Sequence, residues 1–211
     1  MGKINFKSGE FITRINGYDF VEIGGLKWAT MNIGANSITD VGLYFQWGDR
    51  KGYTADEFGK MKRFIQQHYK HYNNKRYTKY NEFDSKQVLD LCDDAAFAYM
   101  GHGWRMPTKE DFRCLIENTT QKWTEDYQGS GVAGMVFTDR TDKTKQLFFP
   151  AVGYCYDGGV YSVGSNGYYW SGSLYSGDAL YGRFLRFDSG GVSWQNYSNR
   201  YFGFSVRGVV T

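Results

Sequence analysis

Three cysteines and three histidines are the side chains of this chain best suited to nucleophilic or metal chemistry, and their spacing limits both. Cys92, Cys114 and Cys155 are odd in number, widely separated and form no CxxC pair, so neither a disulfide framework nor a zinc knuckle is indicated. Cys155 with a distant histidine could act as nucleophile and base, yet no local signature supports the pairing, and a buried free thiol is the commoner outcome. His68 and His71 stand three apart, able to share one ion if they lie on a helix. Among lysines and tyrosines such a pair more often forms a solvated face. The expectation is no catalytic residue, no metal and no cofactor.

The segment Lys60 to Lys79 (KMKRFIQQHYKHYNNKRYTK) interleaves basic residues with Phe64, Tyr69, Tyr72 and Tyr77, a pattern able to track phosphates and stack bases. The alternative, which we favour, is a helical insertion at about 51–84 whose aromatics pack inward while its lysines face water. A net charge of only +3 makes no independent case for nucleic acid or membrane. Met1 to Phe11 lacks the apolar core of a signal peptide, and no run approaches a membrane span.

With 41% hydrophobic and 22% charged residues the chain is expected to fold, and 211 residues fit a single domain, 1–211. Tyr18 to Met31 reads as a hairpin around Gly24-Gly25, and Leu43 to Trp47 as a short strand. Phe58, Met61, Ile65, Tyr69 and Tyr72 recur at helical spacing, predicting a helix over Ala55–Tyr72 that Asn73 and Asn74 end. A second helix is predicted over Ser85–Met100, stopped by Gly101-His102-Gly103. Thr108 to Asp111 has the form of a capping box opening a third, with Phe112, Leu115 and Ile116 as its buried stripe. Beyond Val132 only short strands are expected: Met135–Thr138, Gln146–Phe149, Tyr168–Gly172, Phe184–Phe187, Val192–Gln195 and Phe204–Val209. Strands, then helices, then many strands argue for an α+β domain.

One stretch stands apart in composition. From Tyr168 to Phe202 there is no Lys, Glu, Met or Pro, while Tyr, Ser and Gly fill about half the positions, as in binding loops. Strand alternation places Leu185, Phe187, Val192 and Trp194 inward and displays Phe184, Arg186, Asp188, Gly191 and Ser193. Tyr175, Gly177, Asp178, Leu180 and Tyr181 from the preceding loop, with Tyr197, Ser198 and Phe202 from the following one, complete the expected ligand-binding set. So dense an exposed aromatic surface is costly unless it binds something.

Gly103-Trp-Arg-Met-Pro-Thr108-Lys-Glu-Asp-Phe112 resembles an element of formylglycine-generating-enzyme-like and Fibrobacter succinogenes major-paralogous-type domains. Val21 to Asn32 resembles the N-terminal strand pair of the latter. Tyr169-Trp-Ser-Gly-Ser173 and Arg200 to Val209 are similar to the variable region of diversity-generating-retroelement target proteins. The resemblance implies a C-type-lectin-like fold with two or three helices, displaying residues that template adenines randomise. It also implies a protein or glycan ligand on a cell surface, and a phage tail or bacterial surface as carrier. Gln195 shares the displayed side but lies outside that family's mutable alphabet. The formylglycine-generating relatives use paired late cysteines, whereas Cys155 is the one cysteine after Cys114 here, so the resemblance does not bring their chemistry with it. Calcium-dependent lectins resemble a Glu-Pro-Asn or Gln-Pro-Asp loop followed by Trp-Asn-Asp, none of which occurs. The alternatives are an assembly module whose aromatic face is buried on a partner chain, or nucleic-acid binding through 60–79.

Overall fold

The computed structural model describes residues 14–58 and 64–211. Four strands, β1 (Arg14–Ile15), β2 (Tyr18–Ile23), β3 (Leu26–Ala29) and, from the far end of the chain, Val209–Val210, make one antiparallel sheet. Gly24 and Gly25, both at positive φ, turn β2 into β3 as the sequence predicts, because a two-residue hairpin of this hand needs that conformation twice. The chain continues through α1 (Ala55–Phe58), the hairpin β4 (Tyr72–Asn73) and β5 (Arg76–Tyr77), α2 (Ala95–Met100) and α3 (Lys109–Asn118). Next come β6 (Thr119–Thr124), β7 (Gly134–Asp139) and β8 (Gln146–Pro150) as one sheet, then the hairpin β9 (Tyr154–Tyr156) and β10 (Gly159–Tyr161). The last sheet is β11 (Gly167–Leu174), β12 (Tyr181–Asp188) and β13 (Gly191–Asn199), with Val209–Val210 closing the chain as β14.

The expected α+β, C-type-lectin-like domain with a helical insertion is corrected. Strands hold 39% of the described residues and helices 15%, with the strands spread over several small antiparallel sheets. The insertion fails as a helix for local reasons. Asn74 and Lys75 sit at positive φ and close a tight hairpin between β4 and β5, so Asn73-Asn74 begins a turn instead of ending a helix. Upstream, Gln66–His68 is a single 3-10 turn, and Phe64 takes positive φ to bury its ring. Tyr, His, Phe and Asn are poor helix formers, so burial of the rings from an irregular backbone outweighs their i, i+4 spacing. The Met61 position of that predicted helix lies outside the described residues.

Of the second predicted helix only a 3-10 turn at Leu91–Asp93 and the α-helix α2 form. Asp94 caps it by accepting from the Phe97 N–H, while the chain before it is extended enough for Val88 to bridge Ser173. The third matches its prediction, since Thr108 accepts from the Asp111 N–H and Asp111 accepts from the Thr108 N–H. Sheet β6–β7–β8 gains a strand that periodicity missed. Thr119–Thr124 follows α3 without a break and carries mixed side chains.

Two cores meet across the last sheet. Tyr169, Leu185 and Phe187 point from one face into a core with Trp28, Phe112, Phe137 and Phe149. Trp170 and Phe184 point from the other face into a second core with Trp47, Trp104 and Phe204. Successive side chains on one strand therefore enter different cores, which fixes register because a one-residue slip would exchange them. Gly167 is required at the crossing, since a Cβ there would lie 2.0 Å from the Phe187 ring.

Candidate functional site

The late hairpin places its side chains by the pairing of β12 with β13. Arg186 faces Ser193, Asp188 faces Gly191, Phe187 faces Val192 and Arg183 faces Tyr197. Between the Phe184–Asn196 and Arg186–Ser193 pairs, β13 carries one extra residue, so Trp194 and Gln195 together oppose Leu185. Leu185 and Phe187 are buried and Val192 and Trp194 pack partly against the first core, as predicted from alternation. Arg186, Asp188, Gly191 and Ser193 sit on the displayed side, with Ser193 and Gly191 exposed. Asp188 accepts from Arg186 (2.7 Å) and from the Gly190 N–H that follows the strand (2.8 Å), which steadies both charged groups.

Phe184 is a correction: it is 5% exposed, not displayed. Its side of the sheet is the expected one, but the second core rises against that side here, and Trp170, Tyr168 and Phe204 cover the ring. Phe184 is thus the floor of the face.

Over that floor runs an aromatic surface. The Tyr168 ring lies 5.1 Å from Tyr154, Tyr154 is parallel to Phe202 at 5.9 Å, and Phe202 meets Tyr156 at 4.7 Å and Tyr201 at 5.3 Å. Tyr161 stacks on Tyr154 at the margin. Tyr156 and Tyr161 are 38% and 44% exposed. Of these, only Phe202 was in the sequence-derived set. The hairpin β9–β10 supplies Tyr154, Tyr156 and Tyr161 from outside the compositionally unusual stretch, and the sole sequence signal was the tyrosine spacing in Tyr154-Cys-Tyr156.

The expected single face divides. Tyr175, Tyr181 and Tyr197 gather on the opposite side of the sheet, where the first core ends. Tyr175 and Tyr197 stack at 4.1 Å, and Arg183, absent from the sequence-derived set, lies 4.6 Å over Tyr175 while donating to the Gln195 carbonyl. Alternation over β12 explains the split, because Tyr181 and Arg183 share parity with Leu185 and Phe187. Gly177 and Asp178 form an exposed turn in which Asp178 accepts from the Leu180 N–H. Leu180 is half-buried, and Ser198, paired with Gly182, lies on the side of the Arg186 face.

Two buried arginines hold the frame. Arg207 donates to Asn32 Oδ1 through Nε and Nη2, to the Ala29 carbonyl and to the Phe148 carbonyl, with its guanidinium 4.3 Å from the Phe149 ring. Burial draws its pKa down to about 10, so it stays charged at neutral pH. Arg200 donates to the carbonyls of Lys79 and Tyr80 and lies 4.2 Å from the Tyr77 ring, tying the β4–β5 region to the end of β13.

None of the chemistry-bearing residues joins this face. Cys155 is fully buried among Tyr44, Tyr53 and Phe64, and burial pushes its thiol up. His68 is exposed and His71 buried, on a turn and not on one helix. Asp90, Cys92 and Asp93 approach one another, but the Lys79 ammonium stands between the carboxylates at 2.7 and 2.5 Å. Burial raises the Asp93 carboxyl, yet hydrogen bonds from Lys70, Lys79 and Tyr80 outweigh it and hold it well below the carboxylate range.

Burial lowers His71 from 6.5 to about 4, against the opposing pull of Asp93, so its 3.6 Å contact with Asp93 is not an ion pair at neutral pH. Between those pH values the unfolded chain binds a proton that the folded one does not. Stability from this group is full above about pH 6.5 and is lost as pH falls toward 4, on the order of 2–3 kcal/mol. Calorimetry from pH 7.5 to 4.5 should show the midpoint falling over this window, and His71→Phe should flatten the fall. An unchanged slope in the variant would assign it elsewhere.

Set against family models, curated proteins and solved structures, the chain matches none of them. Among the described residues no helix is long and apolar enough to cross a membrane.

Proposed function

We propose that this chain is a recognition protein whose C-terminal face binds a protein or glycan on a cell surface, and that a diversity-generating retroelement varies the part of that face supplied by residues 168–202. One observation carries the reading: a connected set of half-exposed rings, from Tyr168 through Tyr154 and Phe202 to Tyr156, stands beside Arg186 and Ser193. Rings of this kind offer large contact area with few rotatable bonds, and hydroxyls at their tips hydrogen-bond either ligand class. Beneath them Tyr169, Trp170, Leu185 and Phe187 are buried to within 1%. Frame and display thus fall on different side chains of the same strands, so a displayed residue can change while the frame keeps its contacts. A phage tail or a bacterial surface protein would serve as carrier.

Sequencing the DNA that flanks the coding region tests the diversification. The expected result is a near-copy of the segment encoding the late hairpin, differing chiefly at adenines, beside a reverse-transcriptase gene. Flanks holding neither element would remove the retroelement from the proposal and leave a fixed recognition face.

A further inference from the structure

An open groove of about 700 Å³ runs along the β4–β5 hairpin and the turn that follows it. Asn74, Arg76, Tyr77, Asn81 and Phe83 line it, and a second hollow sharing Arg76, Tyr77, Asn81 and Phe83 extends it to Asp178 and Leu180 of the late loop. One aromatic wall, Tyr77, is held in place, and the other, Phe83, projects from a braced turn. The Tyr77 ring is held 4.2 Å from the Arg200 guanidinium and accepts a hydrogen bond from Gln66 at its hydroxyl. Phe83 stands 84% exposed on a turn in which its N–H donates to Asn81 Oδ1, while Asn81 Nδ2 donates to the Tyr77 carbonyl. Opposite these rings, the side chains of Asn74 and Arg76 make no hydrogen bond among the described residues, and both are exposed.

We infer that this groove is a second ligand site that takes a neutral oligosaccharide, built jointly by the 72–84 segment and the late loop. The chemistry of the lining favours that class. A sugar ring offers apolar C–H faces that stack on an aromatic plane, and hydroxyls that both donate and accept, as an asparagine amide does. The lining carries Arg76 with three carboxylates, Glu82, Asp84 and Asp178, so both a cationic donor and carboxylate acceptors are on hand for sugar hydroxyls. The groove is also open to solvent and carries no deep apolar pocket for a side-chain anchor. The inference extends the recognition reading, since Asp178 and Leu180 belong to the stretch proposed to vary.

Amide chemical shifts of the full chain, titrated with cellohexaose, chitohexaose and mannohexaose, test it. One of the three should saturate with shifts centred on Asn81 and Phe83. Phe83→Ala should weaken it at least tenfold, and with the ring in solvent this change leaves packing intact. A variant of the aromatic face, Tyr156→Ser with Tyr161→Ser and Arg186→Ser, should bind the sugar unchanged. The inference is overturned if no hexasaccharide saturates, or if a random peptide pool shifts these amides where sugars do not. It is also overturned if binding is lost in the face variant and kept in Phe83→Ala, a result that would leave the recognition face standing. Failure of the face itself would show separately, as undiminished cell binding by the face variant.

Discussion

Arg207→Ala is expected to cost about 3–5 kcal/mol, lowering the thermal midpoint by roughly 10 °C or preventing folding. The side chain is fully buried and makes four hydrogen bonds, so truncation strands Asn32 Oδ1 and two main-chain carbonyls away from water and opens a cavity against Phe149. Those partners come from β3, the chain after it and β8, so one guanidinium joins the N-terminal hairpin to the middle sheet. Arg207→Lys should recover little, because a single ammonium cannot reach the same acceptors in one plane. Calorimetry of both variants checks this, and a midpoint within 2 °C of the parent would show that the network is dispensable.

The second large effect concerns binding and leaves the fold alone. Tyr156→Ser, Tyr161→Ser and Arg186→Ser together should abolish labelling of the cells that the parent protein binds, by more than about 100-fold. Exposed aromatic anchors commonly contribute 2 kcal/mol or more each at an interface. Surface substitutions usually shift stability by less than about 0.5 kcal/mol each, so the midpoint should move by only a few degrees. Flow cytometry with the labelled protein and a parallel melting curve give both readouts. Intact labelling would sink the recognition face, and collapse of the fold would show that these side chains belong to the frame.

Much of the frame was legible because local rules suffice for it. Gly24-Gly25 announces a hairpin, Thr108 and Asp111 announce a helix start, and the parity of Leu185 and Phe187 announces a buried face. What failed depended on contacts distant in sequence. Phe184 reads as displayed until Phe204 and Trp170 arrive from other strands to cover it. Tyr154 and Tyr156 join the face only because Cys155 pairs through its backbone with Gly203 and brings β9 alongside Phe202. The helical spacing of 55–72 misled for a related reason: rings destined for several cores can mimic one stripe. Arg183 is hidden in the sequence because its parity is that of core residues, and nothing local reveals that the core ends before reaching it.

The extra residue of β13 opposite Leu185 has an implication for how such a surface could evolve. Every position between it and the Ser189-Gly190 turn is assigned inward or outward by counting, so deleting one codon there would drive Ser193 toward Phe137 and lift Val192 into solvent. Change by exchange of letters is permitted while change of length is not, and a lineage exploring new targets through this hairpin must therefore do so at constant loop size.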